Sequence, residues 1–410
     1  MRLAVVAAAA LWCVAGWLLW RTEVPSLALP HVDAAELAGP ALLGRIEDLR
    51  AETRSLWAGG QAAQLLALGL LAWQGRGLAR ALRPIGRGRV RTGTLVGLLC
   101  ALALWAVGLP FGLAAHLAAR DAGLTRQAVP AWLGDSALGL LVEAVLVGVC
   151  VAVVLVLAGR LGRRWWLAAG PALALVAVAF ALLQPLVVQP LFNRFEPLSD
   201  RALATRIEQL GERLGVRVGG VEIADASRRT TAPNASVTGI GPGRRVVIDD
   251  TLIEGGGFAE REVLAVAAHE LAHVARAHVW KAVAWFALLV VPGAFLVALV
   301  LRRAGRTGDP SGVPLGLLVA LAIFLTTLPL QTAVSRRYEA EADWLALRAT
   351  DDPAAVEGLI RGFVADGLSD PDPPGWSYAL LGTHPRPVDR VALARAFAAR
   401  EASRAAPAGP

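Results

Sequence analysis

The stretch VLAVAAHELAHVARAHVWK, from Val263 to Lys281, decides how the rest of the chain is interpreted. It contains the pattern H-E-x-x-H, with His269 and His273 four residues apart and Glu270 directly after the first histidine. Four residues advance a helix by about 400°, so the two imidazoles lie about 40° apart on one face. Such a pair can share one tetrahedral zinc ion, and the adjacent glutamate can act as a general base. The stretch therefore indicates half of a zinc site.

The missing half is a third protein ligand. An H-E-x-x-H string also arises by chance in about one chain of this length in a hundred, so the third ligand is the real test. His278 is the nearest candidate, but on a straight helix it points about 140° and 180° away from the other two histidines. We therefore predict that His278 is a polar residue at the boundary between helix and membrane, and not a ligand.

A more distant segment, SRRYEAEAD (335–343), supplies a better candidate. Glu339 and Asp343 are four apart and share one face of a predicted helix. One glutamate and two histidines from another helix form a known catalytic zinc set, and Asp343 could orient a ligand histidine. Glu341 lies about 200° around the helix from Glu339, and we predict that it is solvated. The alternative interpretation of the whole segment is a solvated acidic face.

Long apolar segments dominate the remainder of the chain, in which 56% of the 410 residues are hydrophobic. About seven windows are each long enough to span a bilayer core, which predicts a polytopic membrane protein. The first lacks a convincing signal-peptide cleavage site and is expected to be retained. The windows are 3–20, 55–73, 93–115, 137–159, 165–189, 282–301 and 314–334.

The positive charge of the chain is almost entirely arginine, since Lys281 is the only lysine behind a net charge of +7. The arginines cluster in short loops at 76–91, 160–164 and 302–306. This placement indicates topology signals beside anionic lipid headgroups, and no nucleic-acid partner. With seven spans, the positive-inside rule puts these loops in the cytoplasm and residues 263–281 outside. The composition, rich in arginine and alanine, indicates a GC-rich bacterial genome and hence a bacterial plasma membrane.

We expect residues 1–189 to form an N-terminal membrane domain of five helices. Residues 190–400 are expected to form the metal-site domain, including the last two windows, and 401–410 a disordered tail. From Glu260 the helical pattern continues without proline into window 282–301, which predicts one uninterrupted helix. Elsewhere in this domain we predict a helix at 199–214, strands at 221–226, 234–240 and 244–253, and a helix at Thr332–Ala349.

Six motifs, taken in order, resemble those of the type I CAAX prenyl endopeptidases, a family of seven-helix membrane zinc metallopeptidases. The resemblance covers most of the chain. It implies a mainly α polytopic fold whose helices enclose a chamber, plus a zincin-like α+β domain with a small β-sheet. The motifs are QPLFNRFEPL (189–198), PNASVTG (233–239), VVIDDTLI (246–253), AVAAHELAH (265–273), SRRYEAEAD (335–343) and THPRPVDR (383–390).

The resemblance also assigns roles to the residues of the candidate zinc site. His269, His273 and Glu339 would bind one zinc ion per chain, Glu270 would activate the water, and Asp343 would orient a ligand. The family usually has glycine at the position of Ala272, and in its late motif a hydrophobic residue at the position of Pro387. The resemblance implies a cytosolic-facing site, which conflicts with the arginine distribution.

Three further residues are assigned by the resemblance alone. Asn234 and Ala235 would lie on the strand that pairs with an extended substrate. His384 would hydrogen-bond the substrate carbonyl or the developing oxyanion. The expected function is a membrane zinc endopeptidase for peptide or protein substrates, including membrane-associated ones, without specificity for prenyl groups. The alternative is a non-catalytic zinc-binding transporter or scaffold, which does not explain the placement of Glu270.

Overall fold

The computed structural model describes residues 2–253 and 257–405, and most of them are helical. The N-terminal half consists of helices, most of them long. These helices are α1 (Arg2–Trp20), α2 (Ala34–Leu37), α3 (Pro40–Trp73), α4 (Gly75–Gly86), α5 (Arg89–Asp121), α6 (Val129–Leu161), α7 (Trp165–Leu183) and α8 (Gln189–Phe192).

The second half combines a small sheet with further helices. Its last helix continues five residues into the predicted tail, and residues 406–410 lie outside the described part. The elements are β1 (Phe195–Pro197), α9 (Arg201–Arg213), β2 (Gly220–Ala224), β3 (Ala235–Thr238), β4 (Arg245–Asp249), α10 (Asp250–Ile253), α11 (Glu260–Ala275), α12 (His278–Arg303), α13 (Val313–Thr350), α14 (Pro353–Ala365), α15 (Gly375–Leu381) and α16 (Pro387–Ala405).

Membrane-spanning character is concentrated in the long helices. Within residues 2–253 and 257–405, five helical segments are long and apolar enough to cross a membrane. One of them, Val129–Phe192, is 64 residues long and contains both α6 and α7. In α1 the apolar stretch Ala10–Trp20 is shorter. Each predicted apolar window therefore lies on a helix, as expected for a polytopic membrane protein.

The small sheet has the strand order β1-β2-β4-β3, in which β2 and β4 are parallel and the other pairs antiparallel. Val246 and Ile248 on β4 are fully buried in one core cluster with Ala267 and Leu271 of α11. The sheet thus supports α11 from one side, and β3 is an edge strand of the described sheet. The predicted strand at 244–253 was too long, because residues from Asp250 onward form α10.

The prediction of one uninterrupted helix from Glu260 into the membrane is wrong. Helix α11 ends at Ala275, and α12 begins at His278. Between them, Ala277 adopts a left-handed conformation with φ 55° and ψ 37°. By contrast, α13 is continuous over 38 residues, so Glu339 stands on the same helix as the last apolar window.

A cavity of about 720 Å³ lies between α6, α7, α12 and α13. Its wall is mainly apolar and includes Trp285, Phe286 and Phe324. One end of the cavity is lined by His273 and Glu339. The long helices therefore line a partly open space that reaches the predicted metal-binding residues.

Candidate active site

The predicted metal ligands come together where α11 crosses α13. Nε2 of His269 lies 3.1 Å from Oε2 of Glu339 and 3.1 Å from Nε2 of His273. Nε2 of His273 lies 3.5 Å from the same Glu339 oxygen. These three atoms form a group that could hold a metal ion. In a tetrahedral site with bonds near 2.0–2.1 Å, neighbouring ligand atoms are about 3.3 Å apart, so the donor set fits zinc in spacing and in chemistry.

The electrostatics of the site also favour a cation. His269 is buried, which by itself disfavours a positive charge. The close, negatively charged carboxylates of Asp343 and Glu339 outweigh the burial and raise the pKa of His269 to about 10. Two carboxylates thus surround a buried imidazole, an arrangement that a bound cation would neutralise.

Asp343 lies next to Nδ1 of His269, the ring nitrogen that is turned away from the donor set. The sequence predicted an orienting group at this position. Oδ1 of Asp343 is 2.9 Å from Nδ1 of His269, although the angle falls short of a regular hydrogen bond. Arg390 of α16 donates from Nε and Nη2 to the two Asp343 oxygens, at 2.8 Å and 2.6 Å. This bidentate pair fixes the carboxylate. The motif THPRPVDR contained Arg390, but sequence reasoning gave that arginine no role.

Replacing Arg390 should therefore destabilise the site far more than replacing a surface arginine of the same helix. Arg390→Met removes the bidentate partner of the buried Asp343 carboxylate and leaves only His269 beside it, which costs about 3–5 kcal/mol. Arg395 pairs with Glu36 and Glu357 near the surface, so Arg395→Met should cost about 0–1 kcal/mol. Melting temperatures of the two purified variants measure the difference, and equal losses would contradict this role of Arg390.

Glu270 directly follows the candidate ligand His269 on α11. The first turn of this helix carries Glu260 and Glu262, and acidic side chains stabilise a helix N-terminus. Burial raises the pKa of the Glu270 carboxyl. A carboxylate with a raised pKa is a stronger base, as proton abstraction from water requires. Glu270 therefore combines a raised pKa with a position on α11 next to the candidate ligand His269.

His384 lies at the exposed side of the same site, in the loop between α15 and α16. Its Nε2 is 3.2 Å from Oε2 of Glu339, and 55% of its side chain is exposed. Arg336, one turn before Glu339 on α13, donates to the carbonyls of Tyr378 and Gly382 at 2.9 Å and 2.7 Å. These bonds tie the loop to the helix that carries Glu339, while the His384 side chain stays exposed.

Asn234 and Ala235 stand at the start of β3. Asn234 is exposed, and its carbonyl accepts a hydrogen bond of 3.0 Å from the Asp249 backbone N–H. Ala235 is buried and pairs with Ile248 on β4. Because β3 is an edge strand, its other side is available to an extended chain. The substrate-binding role of these two residues stays a prediction.

The premise that His278 points away from His269 and His273 is wrong, although His278 is not among the three residues of the candidate metal group. Its Nδ1 lies 2.9 Å from Nδ1 of His273, and its Nε2 lies 3.0 Å from Oε2 of Glu341. The prediction that Glu341 is solvated is also wrong, since its exposed fraction is 0%. The helix break at Ala277 changes the direction of the chain, so the phase of a straight helix does not apply to His278.

Two family models match the chain in succession. Residues 54–194 match the CAAX prenyl protease N-terminal domain, described as five membrane helices. Residues 197–398 match Peptidase family M48. The chain belongs to peptidase family M48. Helices α11 and α13, with all three candidate ligands, lie within the residues matched to this family.

Individual relatives agree with the family assignment. This M48 chain is 28% identical over 299 residues to the uncharacterized metalloprotease YhfN of Bacillus subtilis, covering 70% of this chain and 69% of that protein. It is 26% identical over 310 residues to the CAAX prenyl protease 1 homolog of Oryza sativa subsp. japonica, covering 72% and 71%.

The fold of the M48 chain is also that of a solved structure. The crystal structure of S. mikatae Ste24p superposes with a TM-score of 0.75 over 95% of this chain and 96% of that chain, at 20% sequence identity. Together with the family match, the apolar helices and the converging donor set, this makes the protein a multi-pass membrane metalloendopeptidase. Its substrates are accordingly peptides or proteins.

Proposed function

We propose that this M48 protein is a zinc-dependent endopeptidase in which His269, His273 and Glu339 hold one zinc ion and Glu270 is the general base. The observation that carries the proposal is the convergence of two imidazole nitrogens and one carboxylate oxygen within 3.1–3.5 Å. Glu270 adjoins this set on α11 without belonging to it. Three protein ligands with a free glutamate beside them suit hydrolysis better than simple metal storage.

When bound, zinc would polarise the scissile carbonyl and lower the pKa of a water molecule. Glu270 takes the proton of the attacking water and passes it to the leaving amine. His384 donates a hydrogen bond to the carbonyl oxygen as negative charge develops on it. Asp343, fixed by Arg390, keeps the ring of His269 turned so that Nε2 faces the site.

The substrate would bind as an extended strand beside β3, where Asn234 and Ala235 offer main-chain groups at the sheet edge. Backbone hydrogen bonds of this kind hold a peptide without regard to most of its side chains. The apolar cavity that ends at His273 and Glu339 would take apolar side chains of the substrate. A site with these properties suits peptides at or near the membrane.

We further propose that cleavage does not require a prenyl group. Relatives of this chain carry the name CAAX prenyl protease, whereas the arginine- and alanine-rich composition indicates a bacterium, in which CAAX-processed substrates are not expected. One peptide, unmodified and farnesylated, should be cleaved with kcat/KM values within about tenfold, or about 1.4 kcal/mol. The measurement is cleavage in detergent solution followed by mass spectrometry. Cleavage of the farnesylated peptide alone would contradict this part of the proposal.

A further inference from the structure

The break between α11 and α12 brings His278 back towards the metal-binding helix. Ala277 adopts the left-handed backbone conformation that usually requires glycine, with φ 55°. This conformation costs an alanine about 1–2 kcal/mol, so neighbouring contacts must hold it in place. The main consequence of the break is that the buried ring of His278 lies between His273 and Glu341.

The contacts of His278 form a directed chain of hydrogen bonds. Because Nε2 of His273 faces the donor set, its Nδ1 is the nitrogen that carries hydrogen, and it donates to Nδ1 of His278 at 2.9 Å. Nδ1 of His278 is then the acceptor, and its Nε2–H donates to Oε2 of Glu341 at 3.0 Å. One tautomer of each ring satisfies every bond in the chain.

Glu341 is fixed from several sides, although it is fully buried. It accepts from Nε of Arg276 at 3.1 Å and from the backbone N–H of Glu23 at 2.8 Å, while Nζ of Lys281 lies 3.6 Å away. A carboxylate surrounded by these donors can stay charged in the protein interior. The far end of the hydrogen-bond chain is therefore an immobile negative charge.

The ring of His278 is held in its plane by Tyr338. The two rings are stacked with centroids 4.7 Å apart and planes only 9° from parallel. The Tyr338 hydroxyl accepts a hydrogen bond from Nε1 of Trp285 at 3.0 Å and donates to the carbonyl of Leu19 at 2.6 Å. Both the position and the plane of His278 are thus determined by groups outside the metal site.

We infer that His278 and Glu341 are positioning residues for the metal ligand His273. Each histidine ligand then has its own orienting carboxylate: Asp343 acts directly on His269, and Glu341 acts on His273 through His278. Partners of this kind fix the tautomer and ring orientation of a ligand, and their loss costs about 10–100-fold in metal affinity. The inference rests on the proposed function to the extent that His273 is a zinc ligand.

The test is the rate at which zinc leaves the purified full-length protein when an excess of chelator is added. Release should be about 10–100-fold faster from His278→Leu and about 10-fold faster from Glu341→Gln. His278→Gln keeps one acceptor and one donor on its amide, so release should stay within about 3-fold of wild type. His116→Leu removes another buried histidine, which contacts the carbonyl of Gln127, and should release zinc at the wild-type rate.

Two further readouts separate positioning from a merely structural role. Glu341 acts through His278, so the double variant should release zinc no faster than His278→Leu alone. The rise in melting temperature on zinc loading should shrink in both single variants, whatever each substitution does to the melting temperature of the zinc-free protein. If His278→Leu does not fold, the isosteric Glu341→Gln gives the result.

Unchanged release rates in His278→Leu or in Glu341→Gln would overturn the inference. So would additive effects in the double variant, or a loss of stability that is the same with and without zinc. A wild-type protein that binds no zinc would instead refute the proposed function. The two failures are therefore distinguishable.

Discussion

Glu270→Gln is expected to lower kcat/KM for peptide cleavage by about 10²–10⁴-fold, the contribution of a positioned general base. The substitution keeps the size and the polarity of the side chain but removes its ability to accept a proton from water. Glu270 lies outside the converging donor set, so the variant should still bind about one zinc ion per chain. Cleavage rates and zinc content are measured on the same purified sample.

The matched control is Glu260→Gln on the same helix. Glu260 is exposed and pairs with Arg206 at the start of α11, far along the helix from the metal ligands. An exposed pair contributes about 0–1 kcal/mol, so this variant should cleave like wild type. If Glu270→Gln cleaved as fast as Glu260→Gln, Glu270 would not be the general base.

His273→Ala and Glu339→Ala are each expected to abolish zinc binding and to reduce cleavage to background. Either substitution leaves two protein ligands, whereas catalytic zinc sites use three. Zinc content should fall from about one ion per chain to near zero when the proteins are purified without added metal. His31→Ala, which removes an exposed histidine, provides the control and should retain its zinc.

Stoichiometric zinc in both ligand variants would show that the donor set lies elsewhere. Loss of zinc from His273→Ala alone would indicate that Glu339 is not the third ligand. Because the two residues stand on different helices, loss from both also tests the contact between α11 and α13 on which the site depends.

Helical phase was sufficient to find most of the candidate site from the sequence. It put His269 and His273 on one face, and Glu339 and Asp343 on another, because α11 and α13 are regular helices over those residues. The same reasoning failed for His278, since it assumed a straight helix. The residue with the left-handed conformation at the break is Ala277, and an alanine gives no sequence signal for a helix end as glycine or proline would.

Contacts between distant segments could not be predicted in this way. Glu341 does lie on the other side of α13 from Glu339, but that side faces Arg276 and the backbone of Glu23 instead of water. Arg390 on α16 binds Asp343 on α13, and the sequence of neither helix predicts this ion pair. Such contacts depend on how distant segments pack together, and the periodicity along one helix carries no information about that packing.

The positions of His384 and of β3 show what the resemblance added. The residues around His384 form a loop with no periodicity, and only the family motif singled it out. The structure then brought its Nε2 within 3.2 Å of Glu339. The strands, by contrast, followed from short strand-like runs and from the Gly241–Gly243 turn between β3 and β4.

The most direct test of the account is a zinc titration of the chelator-stripped wild-type protein, with cleavage of a peptide library as the readout. We expect no cleavage without metal and a rate that rises in proportion to added zinc and stops rising at about one ion per chain. Stripped protein that still cleaves peptides would contradict the account. So would protein that binds one zinc ion tightly and cleaves no peptide, as a transporter or scaffold would.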